Sequence, residues 1–149
     1  MLFNMIHLLW NKGDNMKKNI SLILLILWMI FIFVMSSFNA NESSNQSGII
    51  VNFISSIFNI SDTKLLSLII RKGAHFTEYF ILGILSINYV IKYKKNIIYS
   101  YLICILYAIS DEIHQIFVSG RSCQITDIFI YSVGSIIGIT LIIKFVKDM

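Results

Sequence analysis

The chain has 149 residues, of which 56% are hydrophobic and 13% are charged, and it contains no proline. This length suits one domain, but the apolar fraction is too high for an ordinary soluble domain and excludes that class. The formal net charge is +4. Because the lysines cluster at the ends of apolar runs, they indicate membrane anchoring and argue against a nucleic-acid partner.

The beginning of the chain contains a second start-like segment. Met16-Lys17-Lys18-Asn19, followed by an apolar run, is typical of a bacterial start. We therefore expect residues 1–15 to be an upstream extension and residues 16–149 to form a single transmembrane domain. The run Ile20–Phe38 resembles a signal peptide, but it is longer than the usual apolar segment and ends in a poor cleavage site. The expectation is a retained transmembrane helix.

Four apolar runs predict transmembrane helices, since a helix crosses the hydrocarbon core with about 20 apolar residues. Ile20–Phe38 reaches this length without a charge. Three shorter runs reach it only when polar residues at one end are included: Tyr79–Ile91 with Gly73–Glu78, Asn96–Ser110 with Asp111–Phe117, and Ile128–Ile143 with Ile125–Asp127. The predicted fold class is an all-α membrane protein with a bundle of four transmembrane helices.

A fifth, shorter helix is predicted between the first two spans. After a polar stretch, Asn39–Ser47, the segment Ile49–Ile60 is too short to cross the membrane. Its polar and apolar residues recur on opposite faces at helical spacing. This pattern predicts a short amphipathic helix in the membrane interface, and packing on the bundle is the alternative that amphipathicity leaves open. Ser61-Asp62 can cap the helix that follows.

The lysines and arginines predict the orientation, because cytoplasmic loops carry the excess of these residues. Eight fall on one side: Lys12, Lys17, Lys18, Lys92, Lys94, Lys95, Lys144 and Lys147. Four fall on the other: Lys64, Arg71, Lys72 and Arg121. Both termini are therefore expected in the cytoplasm, and the loops 39–73 and 118–125 outside.

Under this topology, polar side chains gather at the outer ends of three spans. The candidate ligand-binding residues are Arg71, Lys72, His75, Glu78, Asp111, Glu112, His114, Gln115, Arg121 and Asp127. Ionisable groups at membrane depth face the protein interior or a wet cavity. Asp127 also shares a helix face with Gly134 and Gly138, a GxxxG motif that lets helix backbones approach closely. The sequence therefore predicts one pocket open to the outside.

Within this pocket, Glu78, Asp111 and Asp127 come from three different helices and should lie at similar depth. We expect Arg71 or Arg121 within ion-pair reach of at least one of these carboxylates, because an unpaired charge at this depth is costly. His75 and His114 are expected to approach the same cluster. For Lys72 and Glu112, snorkelling to the interface is the competing interpretation.

Metal binding and nucleophilic catalysis find little support. His75-x-x-Glu78 and Asp111-Glu112-x-His114 offer nitrogen and oxygen ligands at helical spacing, but neither matches a zinc signature. No serine lies in a GxSxG-like turn. Cys104 and Cys123 fit no zinc or thioredoxin spacing and are expected to be unrelated thiols. No metal and no cofactor is predicted.

The polar motifs resemble those of the VanZ family over roughly residues 20–146. Arg71–Gly83 resembles the signature of its second span, Ser110–Arg121 that of the third, and Asp127 with the two following glycines that of the fourth. Ser36-Ser37 and Ser43-Ser44 resemble its serine-rich first loop. This chain departs from the pattern at Ser119, where the family often has proline, and at Tyr131, where it often has a small polar residue.

The resemblance implies a bacterial cytoplasmic-membrane protein that acts on the cell envelope, in a family named for an accessory protein of glycopeptide resistance linked to teicoplanin. It implies no reaction. Our leading interpretation is a non-enzymatic protein that has membrane lipids as partners and binds an extracytoplasmic anionic or lipid-linked ligand. An envelope precursor or a glycopeptide would be such a ligand. Arg71, Lys72 and Arg121 suit such a ligand.

Two other functions remain open from the sequence. A membrane-embedded enzyme would use Glu78, Asp111, His75 and His114 as candidate catalytic acids or bases on an envelope lipid. A proton-coupled transporter would use Glu78, Asp111 and Asp127 as a relay. It ranks last, because four short helices leave little room for an alternating-access path, and spans three and four offer almost no polar path to the inner face. One GxxxG motif leaves the oligomeric state open.

Overall fold

The structure is a computed structural model that describes the backbone of residues 2–147 and the side chains of residues 16–39, 42, 43, 45 and 47–147. Within this range all regular structure is helical, as the sequence predicts. The five helices are α1 (Leu2–Ser36), α2 (Ala40–Phe58), α3 (Thr63–Lys92), α4 (Ile98–Gln115) and α5 (Ile125–Lys147). The predicted domain start at Met16 lies inside α1, and the side chains before it are outside the described residues.

Three helical segments are long and apolar enough to cross a membrane: Met16–Ser36, Thr63–Lys92 and Ile125–Lys147. The fourth expected span, α4, does not meet this description. It has 18 residues, and its last turns carry Asp111, Glu112, His114 and Gln115, which lower its hydropathy. By length and composition, three of the four predicted spans are therefore confirmed.

Helix α2 begins earlier than the sequence suggested, because the polar stretch before Ile49 is helical. Asn39 Oδ1 accepts the Glu42 amide at 2.9 Å, and Glu42 Oε2 accepts the Asn39 amide at 3.0 Å. This reciprocal capping box satisfies two amides that the first helical turn would otherwise leave unpaired. The helix ends at Phe58 and is capped by Asn59, whose φ of 51° is left-handed. The predicted cap of α3 is confirmed, since Asp62 accepts the Leu65 amide at 3.0 Å.

Helix α3 is the centre of the molecule and contacts all four other helices. Its closest neighbour is α5, where the GxxxG glycines meet its backbone. A Cβ atom at Gly134 would collide with the Phe76 carbonyl oxygen, and one at Gly138 with the Phe80 carbonyl oxygen. The predicted close approach of two helix backbones is therefore present. It fixes the first turns of α5 beside the polar residues of α3.

The helices run alternately, so that charged residues separate into two ends of the molecule. The polar end comprises the end of α1, α2, the start of α3, the end of α4 and the start of α5. It contains Glu42, Asp62, Glu78, Asp111, Glu112 and Asp127, which are all the carboxylates whose side chains the structure describes. The lysine end, opposite to it, contains Lys17, Lys92, Lys94, Lys95, Lys144 and Lys147.

Candidate functional site

The main cavity at the polar end has a volume of about 170 Å³. Arg71, His75 and Glu78 of α3 form one wall, and Arg121 reaches it from the loop between α4 and α5. The rest of the wall is largely apolar and includes Met35, Ile50 and Ile70. We call this space the arginine cavity. It combines a cationic wall with an apolar one, so it matches a ligand that has both characters.

A smaller cavity of about 50 Å³ lies next to the arginine cavity. Arg71, His75 and Arg121 line both spaces and form the partition between them. The far wall of the smaller cavity contains Lys72 and Asp127, whose side chains form an ion pair. Five predicted site residues are therefore brought together here: Arg71, Lys72 and His75 of α3, Arg121 of the loop and Asp127 of α5.

The expected arginine–carboxylate pair is not formed. Among the described side chains, Lys72 is paired with Asp127, and His75 Nδ1 lies 2.9 Å from Glu78 Oε2. The two arginines are left without a carboxylate partner within ion-pair distance in that part of the chain. The physical reason is that consecutive side chains of a helix point about 100° apart. Lys72 therefore faces α5, while Arg71 faces the arginine cavity.

The two arginines lie close enough to affect each other. Burial, and then the neighbouring Arg71 guanidinium, lower the pKa of Arg121. An arginine nevertheless stays protonated in proteins, because its intrinsic pKa is so high. The Arg121 Nε atom is buried and has no hydrogen-bond partner among the described side chains. Two such cations on one cavity wall favour an anion that accepts their hydrogen bonds.

A buried hydrogen-bond network lies behind the cavity and connects α1, α4 and α5. Ser36 Oγ donates to Asp111 Oδ1 at 2.6 Å. Gln115 Nε2 donates to Ser36 Oγ at 3.4 Å and to the Tyr131 hydroxyl at 3.5 Å. The Tyr131 ring meets the edge of the His75 ring at a centroid distance of 5.4 Å. The network therefore extends from the cavity wall to Asp111.

Aromatic stacking completes this packing between α3 and α5. The Tyr79 and Tyr131 rings are parallel within 4° with centroids 4.5 Å apart, and both residues are buried. Tyr131 shares its helix face with Asp127 and the GxxxG glycines, so the close helix approach also creates this stack. The ring fills the space that a small residue would leave open at this position.

Asp111 and Glu112 are buried, with 3% and 0% of their surface exposed, and neither lines the two cavities. The structure therefore places Glu112 apart from both cavities, and its role in ligand binding stays a prediction. Glu112 Oε2 instead accepts the Gln124 amide at 2.9 Å. Since Gln124 ends the loop that carries Arg121, this bond fixes the loop against α4.

His114 also lies apart from the cavities. Its Nε2 atom is 3.1 Å from Ser37 Oγ, and its ring packs on Phe33 at a centroid distance of 4.3 Å. The Ser37 hydroxyl donates its proton to the Phe33 carbonyl oxygen at 2.6 Å. That proton is not directed at the imidazole, so the pair lacks the geometry of an activated nucleophile. His114 connects α4 to α1.

Three buried residues of this site were not among the predicted ones: Ser36, Tyr79 and Tyr131. Ser36 ends α1 at the depth where α4 carries its carboxylates, and this shared depth was the available signal. Tyr131 lies four residues after Asp127 and so shares its helix face, and this spacing was the available signal. Hydrophobicity alone does not distinguish a tyrosine in such a network from one in an ordinary core.

The described residues contain no group of three histidine, cysteine, aspartate or glutamate side chains placed to hold a metal ion. Both cysteines are free thiols. Cys104 is buried in the α3–α4 contact, where its Sγ atom lies 3.3 Å from Ser86 Oγ. Cys123 is exposed in the loop at the polar end. The thiols therefore lie in separate parts of the bundle.

Apolar helices of membrane-crossing length, with every described carboxylate at one end of the bundle, fit the class of helical membrane proteins. The family model of VanZ/LLP1 matches residues 21–147, which is most of the chain. The chain belongs to this family, and the resemblance drawn from its motifs is confirmed. No curated protein and no solved structure matched the chain when each set was compared with it.

Proposed function

We propose that the protein crosses the bacterial cytoplasmic membrane four times, with both termini inside and the arginine cavity facing outside. Helix α4 completes the bundle, and it exposes apolar residues such as Ile109 and Ile113. Such a surface is compatible with lipid. The uneven distribution of lysines and arginines supports the orientation.

Helix α2 supports a position of the arginine cavity near the membrane surface. Val51 is buried against the bundle, whereas Ile49, Phe53 and Phe58 are exposed along the helix. An amphipathic helix with an exposed apolar face is typical of the membrane interface. Since Ile50 of α2 lines the arginine cavity, this helix would place the cavity at the level of lipid headgroups.

The protein is proposed to bind an anionic, lipid-linked ligand in the arginine cavity without transforming it. The observation that carries this proposal is that Arg71 and Arg121 line one cavity and have no carboxylate partner among the described side chains. Guanidinium groups match phosphate oxygens in geometry and charge. The apolar wall at Met35 and Ile70 would accept the first part of a lipid chain.

A lipid-linked envelope precursor has the required combination of phosphate and apolar chain. A protein that holds such a precursor at the outer face would change how much of it a glycopeptide can reach. This is the proposed route by which the protein contributes to glycopeptide resistance of the teicoplanin type. It requires no activity besides ligand binding.

A membrane-embedded enzyme is the second candidate, favoured by one observation. The His75–Glu78 pair lies on the cavity wall at 2.9 Å, and a carboxylate that orients a histidine is a frequent acid–base arrangement. However, Asp111 and His114 lie outside the cavity, so the four expected acid–base residues do not surround one substrate position. Binding is therefore the better-supported function.

Mass spectrometry of lipids that copurify with the protein tests the proposal. The wild type should retain an anionic envelope lipid above its share in the membrane, and Arg71→Gln and Arg121→Gln should lose it. Lys64→Gln is the matched control, because it removes one charge from the exposed start of α3, outside the cavity. Equal lipid content in all four proteins would refute the binding site. Conversion of added lipid at catalytic protein levels, abolished in Glu78→Gln, would establish the enzyme instead.

A further inference from the structure

A larger cleft, of about 470 Å³, lies at the lysine end between α3 and α4. Its lining includes Tyr89 and Val90 of α3, Lys95 of the connecting turn, and Tyr99, Leu102 and Leu106 of α4. The three α4 residues recur at spacings of three and four, so they form one stripe that extends about 10 Å along the helix. We call this space the lysine cleft. It is apolar along its length and cationic at its mouth.

The turn after α3 fixes the position of Lys95 at this mouth. The Lys95 amide donates to the Val90 carbonyl oxygen at 3.0 Å, and the Lys94 amide donates to the Ile91 carbonyl oxygen at 3.0 Å. Lys94 adopts a left-handed φ of 53°, which reverses the chain at this point. These bonds satisfy carbonyl groups at the end of the helix. The lysine is therefore held over the cleft by backbone geometry.

The charge around the cleft has one sign. None of Lys92, Lys94 and Lys95 forms an ion pair with a carboxylate among the described side chains, since those carboxylates all lie at the polar end. In the proposed topology the mouth of the cleft is at the inner surface of the membrane. There the anionic lipids of the cytoplasmic leaflet attract basic residues.

We infer that the lysine cleft binds one anionic phospholipid of the inner leaflet, with its phosphate at Lys95 and an acyl chain along the stripe of α4. Basic pockets between transmembrane helices on the cytoplasmic side recognise anionic headgroups in this way. Tyr89 and Tyr99 lie beside the mouth, and tyrosine rings favour the headgroup level. The inference rests on the proposed orientation and not on what the arginine cavity binds.

Native mass spectrometry in detergent, with added phosphatidylglycerol or phosphatidylcholine, tests this site. Lys95→Gln should weaken phosphatidylglycerol binding about fivefold, the factor that corresponds to about 1 kcal/mol for one basic residue near the membrane surface. Leu102→Trp should remove the bound lipid by filling the cleft. The wild type should bind phosphatidylglycerol more tightly than phosphatidylcholine.

Two matched controls separate a defined site from general attraction. Lys144→Gln removes the same charge at the lysine end, and Leu141→Trp enlarges an exposed residue on α5, and neither residue lines the cleft. Both control variants should bind lipid as the wild type does. If Lys144→Gln weakens binding as much as Lys95→Gln, or if both phospholipids bind equally, the inferred site is wrong. Lys95→Gln alone decides the question if the tryptophan variant does not accumulate.

Discussion

The hydroxyl of Ser36, the last residue of α1, donates a 2.6 Å hydrogen bond to the carboxylate of Asp111 in α4. Both residues are buried, and Gln115 donates to the same serine oxygen. This contact joins two helices through residues that are 75 positions apart in the sequence. It also satisfies one oxygen of a carboxylate that forms no ion pair among the described side chains. The α1–α4 contact at the polar end therefore depends on a neutral donor.

Removing that donor should destabilise the protein. Ser36→Ala would leave an oxygen of the buried Asp111 unsatisfied, which costs about 1–3 kcal/mol. The midpoint of thermal unfolding in detergent should fall accordingly. Ser37→Ala is the control, because Ser37 is exposed and its loss leaves no buried group unpaired. Equal stability of the two variants would contradict the structural role of Ser36.

Two helical glycines, one inside the α3–α5 contact and one outside it, give a pair of substitutions with opposite signs. Gly138→Ala would place a Cβ atom against the Phe80 carbonyl, and this overpacking should cost about 1–3 kcal/mol, because backbone cannot move aside as a side chain does. Gly73→Ala meets nothing within 4 Å and should stabilise α3 by about 1 kcal/mol through helix propensity. Unfolding in denaturant measures both. Tolerance of alanine at Gly138 would show that the helices are farther apart.

Lys72 and Asp127 should be energetically coupled. Their side chains are 30% and 17% exposed, so solvent screens the ion pair only partly. A double-mutant cycle with Lys72→Met and Asp127→Asn should give a coupling energy of about 1 kcal/mol, within the range for residues in contact. Pairing Lys72→Met with Asp62→Asn provides a control with no shared contact. Strict additivity of the first pair would contradict the ion pair.

Cysteine labelling tests the proposed orientation. A membrane-impermeant thiol reagent added to intact cells should modify Cys123, which is exposed in the loop at the polar end. The same reagent should not reach a cysteine introduced by Lys94→Cys in a Cys123→Ser background until the membrane is opened. Cys104 is buried and should stay unmodified in both cases. The reverse pattern would place the arginine cavity in the cytoplasm.

Helix periodicity predicted much of this fold, because it depends on each segment by itself. The GxxxG face of α5 follows from spacing along one helix, the cap at Asp62 from its residue type, and the inward Glu78 from the cost of a charge at membrane depth. The partners across helices did not follow, since spacing does not determine how one helix is rotated against the next. For that reason Lys72, and not an arginine, pairs with Asp127.

Loops and helix caps account for the remaining differences between the predictions from sequence and the structure. Glu112 is buried because a backbone amide of the following loop, at Gln124, bonds to it. That bond depends on how the loop folds back, which no local pattern encodes. The early start of α2 was visible in principle, because Asn39 and Glu42 have capping-box spacing. The polar composition of the stretch outweighed this signal.

Arg71 and Arg121 are proposed to bind one anionic group together. The most direct test is the affinity of the purified protein for a short-chain isoprenyl diphosphate, measured by calorimetric titration in detergent. Arg71→Gln and Arg121→Gln should each weaken binding by about tenfold or more, since a hydrogen bond to a charged group contributes about 1.5–3 kcal/mol. Lys64→Gln should bind as the wild type does. Binding that is equally strong in both arginine variants, or equally weakened by Lys64→Gln, would contradict the account.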